Sequence, residues 1–158
     1  MDAEVYPDAR VASFIQQHFL PVKVHIKEQP ETFKRFGVQW TPVLVVLDPD
    51  GREQHQWEGF LPADEYIGQL ELALAKSAFA KEAWPEAERL FREVATKHAD
   101  ADYAPLAVYY AGVSRYKAGD QGALAATGRE LQERYPGSSW ARKSSVWLPA
   151  EPGSDATR

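Results

Sequence analysis

The sequence of 158 residues contains no cysteine. Because the thiolate is the reacting form of cysteine, this absence excludes cysteine nucleophiles, disulfide exchange, zinc–thiolate sites and iron–sulfur ligation for the chain as written. The sequence also has no glycine-rich phosphate loop, no nucleophile elbow and no His-Glu-x-x-His motif. We therefore expect no catalytic residue, no metal site and no cofactor in this chain.

Histidine is also scarce, with four copies in the chain. The four residues do not form a pair spaced as metal ligands on any one predicted element. We interpret all of them as surface histidines: His18, His25, His55 and His98.

Long apolar runs and an excess of basic residues are missing as well. No segment approaches the roughly 20 consecutive apolar residues of a membrane-spanning helix. The first residues lack the basic start and apolar run of a signal peptide, so the chain as written is expected to be cytoplasmic. The net charge is −5 and the pI is about 5.4, so nucleic acid is not an expected partner.

What is present is the composition of a folded protein, with 44% hydrophobic and 26% charged residues. The acidic excess lies in residues 1–79, whereas basic and acidic residues are balanced in 80–158, which indicates two parts. The first part reads as alternating helices and strands. The pattern predicts helices at Asp8–His18 and Glu31–Phe36, strands at Leu20–Ile26, Val43–Leu47 and Gln54–Phe60, a turn at Asp48–Gly51, and a long helix from Pro62.

The second part is helical and repetitive. Residues 74–97 and 108–136 carry small and apolar residues in matching order, 37 positions apart. With the turns at Trp84-Pro-Glu-Ala87 and Gly119-Asp120, they resemble tetratricopeptide repeats. The resemblance implies close helix contacts at Ala87 and Gly112, and Ser138–Trp147 is predicted to cap the array. For Tyr103, Tyr109, Tyr110 and Tyr116 two interpretations stay open, a concave groove or packing between helices, with packing favoured for Tyr110 and Tyr116.

The first part resembles the thioredoxin superfamily, especially its bacterial members, from Met1 to about Ala75. Five features in order carry the resemblance: the predicted strand at Pro21–Ile26, the phrase Arg35-Phe-Gly-Val38, the loop Trp40-Thr-Pro-Val43, the Asp48–Gly51 hairpin, and Gly59-Phe60 before the long helix. The implied architecture is an N-terminally truncated α/β thioredoxin-like fold at 1–79. It continues through a shared helix at 62–82 into an all-α tetratricopeptide-like domain at 80–148, followed by a disordered tail at 149–158.

The family's Cys-x-x-Cys motif is absent, so the resemblance carries over the scaffold and not the redox chemistry. Two readings of Met1 are open: it is the true start, or it is an internal methionine of a longer gene product. The first favours a redox-inactive module that binds a protein or peptide. The alternative is a truncated thiol–disulfide oxidoreductase whose Cys-x-x-Cys lies just upstream of Met1.

The loop at Trp40, Thr41 and Pro42 is the candidate site. In thioredoxins the matching proline is cis, and the residue before it offers backbone hydrogen bonds to an extended peptide. The resemblance therefore implies a peptide-binding site formed by these three residues and Gly59. The other interpretation is that Pro42 only turns the chain and Trp40 belongs to the core.

The resemblance also has a consequence for the sheet. In a thioredoxin sheet the strand before the redox motif lies between the strands predicted at Pro21–Ile26 and Val43–Leu47, and that strand is absent from this sequence. Unpaired edges of this kind template association. We expect a homodimer or a partner's strand at the open edges; the alternatives are direct pairing of the two strands or marginal stability.

Overall fold

The computed structural model describes residues 4–149. Its contacts divide the chain into two compact units, Met1–Ser77 and Ala78–Arg158. The elements of the first unit are α1 (Ala9–His18), α2 (Pro30–Arg35), β1 (Val43–Leu47), β2 (Glu53–Glu58) and α3 (Ala63–Ala80), the last of which runs on into the second unit. The tail expected at 149–158 lies outside the described residues apart from Pro149.

The helix α1 begins where its sequence supplies a cap. Asp8 is the N-cap, and its Oδ1 accepts the backbone N–H of Arg10 at 2.8 Å. The Arg10 guanidinium also donates to Asp64 Oδ1 at 2.6 Å, which ties the start of α1 to the start of α3. The predicted helix at Asp8–His18 is confirmed.

The predicted hairpin is confirmed. The strands β1 and β2 are antiparallel, with Leu44 opposite Trp57 and Val46 opposite His55. The turn between them is closed by backbone bonds from Gly51 N–H to Asp48 O and from Asp48 N–H to Arg52 O, both 2.9 Å. Gly51 has φ of +77°, a conformation that glycine adopts without a Cβ penalty.

The core of the first unit lies on one face of this hairpin. Val5, Val11, Tyr66 and Leu70 form its buried cluster. Partly buried residues in or next to α1, β1, β2 and α3 pack against that cluster: Phe14, Ile15, Phe19, Leu44, Val46, Trp57, Leu61, Ala63 and Ile67. Because Leu44, Val46 and Trp57 share one face of the two strands, that face is the apolar one.

The prediction of a strand at Leu20–Ile26 is wrong. Within the described residues this segment forms no strand and pairs with none, and Leu20 and Val22 are 91% and 77% exposed. Alternation of apolar and polar residues says which side chains would share a face, but a strand also needs a neighbour to accept its backbone hydrogen bonds. No such neighbour exists in residues 4–149, so direct pairing of this segment with β1 is ruled out there.

The second unit consists of consecutive packed helices. They are α4 (Trp84–Lys97), α5 (Ala104–Lys117), α6 (Ala123–Arg134) and α7 (Ser139–Ser144), followed by a 3₁₀ turn at Ser145–Trp147. Each helix packs against the next, and α5 also contacts α7. The segment predicted as helical at Ser138–Trp147 forms α7 and the 3₁₀ turn, with the Ser138 hydroxyl accepting the N–H of Ala141.

Helix ends in this unit recur at the spacing seen in the sequence. The C-caps of α4 and α6, His98 and Tyr135, lie 37 positions apart, and each donates its N–H to the residue four before it, Val94 or Leu131. Both acceptor residues are fully buried. The periodicity read from the sequence therefore corresponds to repeated local geometry.

Close packing and aromatic contacts fill this unit. A Cβ built on Gly112 of α5 would lie 2.0 Å from Thr127 Oγ1 of α6, so the predicted close contact at Gly112 is confirmed. Tyr110 packs on Phe79 and Phe91, which confirms the packing interpretation for this tyrosine. Tyr116 is 36% exposed. Ala87, the other predicted contact position, is fully buried.

Among the helices in residues 4–149, none combines the length and the apolar character that crossing a membrane requires.

Candidate functional site: the proline loop

The proline loop, defined as Trp40, Thr41 and Pro42, lies between α2 and β1. On its α2 side, the helix ends in a Schellman motif: Gly37 N–H donates to Lys34 O at 3.2 Å and Val38 N–H donates to Phe33 O at 3.0 Å. Gly37 takes the left-handed conformation that this motif needs, with φ of +62°. A fixed helix end therefore leads into the loop.

The α2 helix is itself held to the hairpin. The Arg35 guanidinium donates to the backbone carbonyl of Gly51 at 2.6 Å and lies over the Phe36 ring, 4.8 Å from its centroid. A hydrogen bond between a charged donor and a carbonyl is stronger than one between neutral groups. This contact links the residues before the loop to the turn after β1.

The far end of the loop is fixed by Gly59. Its N–H donates to Pro42 O at 2.8 Å, just beyond the last ladder pair of β1 and β2, Val43 with Glu58. Gly59 has φ of +87°, and a Cβ there would meet nothing within 4 Å. The structure therefore brings Gly59 directly against Pro42, as the sequence interpretation requires, and leaves open space beside it.

The Thr41–Pro42 peptide bond is cis, as the resemblance implied. Thr41 and Pro42 are exposed, and Trp40 is 75% exposed. The interpretation that placed Trp40 in the core is therefore wrong. Phe60, which follows Gly59, is also exposed.

The backbone of the proline loop has N–H and C=O groups that could bind a partner. Within residues 4–149, neither the N–H nor the C=O of Thr41 takes part in a backbone hydrogen bond. The strand β1 pairs with β2 along one edge. Within residues 4–149, no strand pairs with its other edge. An extended segment could therefore bond to Thr41 and continue along β1 without displacing any existing bond.

A second group of polar side chains was missed by sequence reasoning. His55 of β2 is half-buried and lies between two side chains of α3: its Nε2 is 2.6 Å from Gln69 Oε1, and Lys76 Nζ is 2.9 Å from its Nδ1. We call His55, Gln69 and Lys76 the histidine cluster. The interpretation of His55 as a surface histidine is wrong, because its strand position faces α3 rather than solvent.

The contacts of the histidine cluster set its protonation. The Gln69 oxygen can only accept, so His55 carries its proton on Nε2, and its Nδ1 accepts from Lys76, whose amine can donate in either protonation state. Burial lowers the pKa of His55; the hydrogen bond to Gln69 partly opposes this, and the nearby charge of Lys76 adds a smaller lowering. Burial also lowers the pKa of Lys76. The imidazole is therefore held neutral, in one tautomer.

Trp57 lies beside this cluster, with its ring 5.5 Å from that of His55 and 5.5 Å from that of Tyr66. Its indole N–H is buried and finds no acceptor within residues 4–149. The sequence could have indicated that His55 shares a strand face with Trp57, since the two are two positions apart. It could not indicate which α3 side chains they meet.

Metal binding has no support in the described part of the chain, where no group of three or more histidine, aspartate or glutamate side chains is placed to hold an ion. Asp48 is occupied by its turn: its Oδ1 accepts the N–H groups of Asp50 and Arg52, each at 2.9 Å. The acidic hairpin therefore uses this carboxylate as a turn-forming group.

Comparison with known proteins identifies the first part of the chain. Residues 1–74 match the family model described as a thioredoxin-like domain. No curated protein and no solved structure gave a match. The N-terminal half of the chain is thus thioredoxin-like, and it is followed by a helical remainder.

Proposed function

We propose that this protein binds an extended segment of another protein at the proline loop, without catalysing a reaction. The observation that carries the proposal is the unpaired backbone of Thr41, held between the fixed end of α2 and the Gly59–Pro42 hydrogen bond. Main-chain pairing of this kind gives affinity that depends little on the partner's sequence. Because the chain holds no cysteine, it cannot form the mixed disulfide of thiol exchange.

The side chains around the loop support an apolar partner. Trp40, in the loop, and Phe60, next to Gly59, expose large aromatic surfaces. Tryptophan is enriched among the residues that dominate binding energy at interfaces, because one side chain covers a large area. The partner expected here is an extended peptide with apolar side chains, such as an unfolded or unstructured stretch of protein.

We assign the helices after residue 78 to tetratricopeptide-like repeats. The support is the spacing of 37 positions between matching helix ends and the small-residue contact at Gly112. A half-buried aromatic group joins α5 to the last helix and turn: Tyr109 lies 4.9 Å from Trp140 and 4.6 Å from Trp147, between ring centroids. The proposed role of these repeats is to hold protein partners.

Binding of an unfolded probe tests the proposed function. The probe is dye-labelled α-lactalbumin, reduced and S-carboxymethylated so that it stays unfolded, and the readout is fluorescence anisotropy. Wild-type protein should raise the anisotropy in a saturable way. Trp40→Ala should weaken binding about 10-fold or more, the loss typical of an aromatic residue that anchors an interface.

The matched control is Val146→Ala, which removes another strongly exposed apolar side chain but lies in the second unit. It should bind the probe as the wild-type protein does. If Trp40→Ala binds as tightly as wild type, or if both variants lose binding equally, the proline loop is not the binding site.

A further inference from the structure

We propose that Lys76 is a site of acyl transfer, at which its amine takes an acyl group from a small thioester with His55 as the base and Gln69 as the positioning residue. The inference is independent of the proposed peptide-binding function. It rests on the geometry of the histidine cluster, which lies on β2 and α3 and not in the proline loop.

The three side chains have the arrangement of a nucleophile, a base and a group that orients the base. Lys76 Nζ lies 2.9 Å from Nδ1 of His55, within reach for proton transfer. Nε2 of His55 lies 2.6 Å from Gln69 Oε1, which fixes the tautomer that leaves Nδ1 free to accept. Gln69 and Lys76 are two helical turns apart on α3, so both reach the imidazole from one helix face.

The surroundings favour the reactive form of the amine. A solvent-exposed lysine at neutral pH is almost entirely ammonium and therefore unreactive as a nucleophile. At Lys76, half-burial penalises the charged form, and within residues 4–149 its amine meets the imidazole of His55. The lysine nonetheless keeps part of its side chain exposed, so a small acyl donor can reach it.

The transfer of the acyl group from the thioester to Lys76 needs no further reactant. The neutral Nζ attacks the thioester carbonyl carbon, the N–C bond forms, and the C–S bond breaks. The proton lost from Nζ passes to Nδ1 of His55, and the imidazolium returns it to the departing thiolate. The products are an Nε-acyl lysine and a free thiol, with His55 back in its original tautomer.

The test uses the full chain and S-acetyl-N-acetylcysteamine as the acyl donor at pH 7.5, with acetylation of each lysine followed by peptide mass spectrometry. Lys81, exposed just beyond the end of the same helix, is the internal reference. Lys76 should be acetylated roughly 10-fold faster than Lys81 or more, at the low end of what a positioned base contributes. His55→Gln should bring Lys76 down to the rate of Lys81.

Two outcomes overturn the proposal. Acetylation of Lys76 at or below the rate of Lys81 in the wild-type protein would show that the amine is not activated. Fast acetylation that is unchanged in His55→Gln would show that His55 is not the base. If His55→Gln fails to fold by circular dichroism, the pH profile of the wild-type protein decides: the rate at Lys76 must level off at a lower pH than the rate at Lys81.

Discussion

Gly112 faces Thr127 so closely that no side chain fits between α5 and α6: a Cβ on Gly112 would lie 2.0 Å from Thr127 Oγ1 and 2.5 Å from its Cγ2. Thr127 is buried and β-branched, so it cannot turn away cheaply. Gly112→Ala should therefore lower the free energy of unfolding by about 1–3 kcal/mol, the range typical of overpacking. Urea unfolding followed by circular dichroism measures this.

Gly122 provides the matched control for that substitution. It is the N-cap of α6, has φ of −84°, and a Cβ there would come no closer than 3.5 Å to Asp120. Gly122→Ala should leave stability unchanged or raise it by up to about 1 kcal/mol, because alanine restricts the unfolded chain. Equal losses in both variants would contradict the packing described for Gly112.

The helices α3 and α5 end in the same backbone motif, but with different residues in the left-handed position. Glu82 N–H donates to Phe79 O and Ala83 N–H to Ala78 O, both at 3.0 Å, with φ of +57° at Glu82. Gly119 takes the equivalent place after α5, 37 positions later. A residue with a Cβ is strained there by roughly 1–2 kcal/mol.

The substitution Glu82→Gly should therefore raise the free energy of unfolding by up to about 1 kcal/mol. Glycine relieves the backbone strain, but its greater freedom in the unfolded chain offsets part of that gain. The reverse change at the matching position, Gly119→Ala, should lower it by about 1–2 kcal/mol. Thermal melts of the two variants check the prediction. A loss of stability in Glu82→Gly would mean that the glutamate side chain makes a stabilising contact.

The histidine cluster predicts a dependence of stability on pH. The pKa of His55 is lowered in the folded protein, so below its ordinary value of about 6.5 the unfolded chain binds a proton that the native state does not. Stability should therefore fall as the pH drops from about 6.5 toward the native pKa of His55. Above about pH 6.5 both states are neutral at this residue and it contributes no slope.

Urea unfolding at pH 7.5 and pH 5.5 isolates this effect when wild type is compared with His55→Gln. Other groups titrate equally in both proteins, so the wild type should lose more stability between the two pH values than the variant does. The same loss in both would show that His55 is free to protonate in the folded protein.

The open edge of β1 predicts self-association. A two-stranded sheet is marginal by itself, and an unprotected apolar strand edge templates pairing with another chain. Sedimentation velocity should show a dimer whose fraction rises with protein concentration. Leu47→Lys places a charge at the exposed end of β1 and should shift the equilibrium toward monomer. A wild-type protein that stays monomeric at all concentrations would contradict this prediction.

Much of the fold follows from local sequence signals. The N-cap at Asp8, the apolar run at Val43–Leu47 and the turn at Asp48–Gly51 each specify their structure within a few residues, and all three are confirmed. The segment Leu20–Ile26 failed because a strand depends on a neighbour far away in the chain. Its alternation of apolar and polar residues carries no information about whether that neighbour is present.

In the candidate site, too, some residues could be predicted from the sequence and others could not. Trp40, Thr41, Pro42 and Gly59 could be named because they match the order of the proline loop and the following glycine in the thioredoxin superfamily. The histidine cluster could not, because His55 and Lys76 lie 21 positions apart on different elements and meet only when α3 packs on the sheet. The left-handed backbone conformation of Glu82 also could not be predicted, since glutamate gives no sequence signal for that conformation.

The measurement that tests the central claim most directly is amide hydrogen exchange at Thr41, read by NMR with and without saturating S-carboxymethylated α-lactalbumin. In the free protein this exposed amide should exchange rapidly, because residues 4–149 supply no acceptor for it. If an extended segment pairs with the proline loop, the Thr41 amide should become protected on binding. Saturable binding of the probe with no change at Thr41 would contradict recognition by the proline loop.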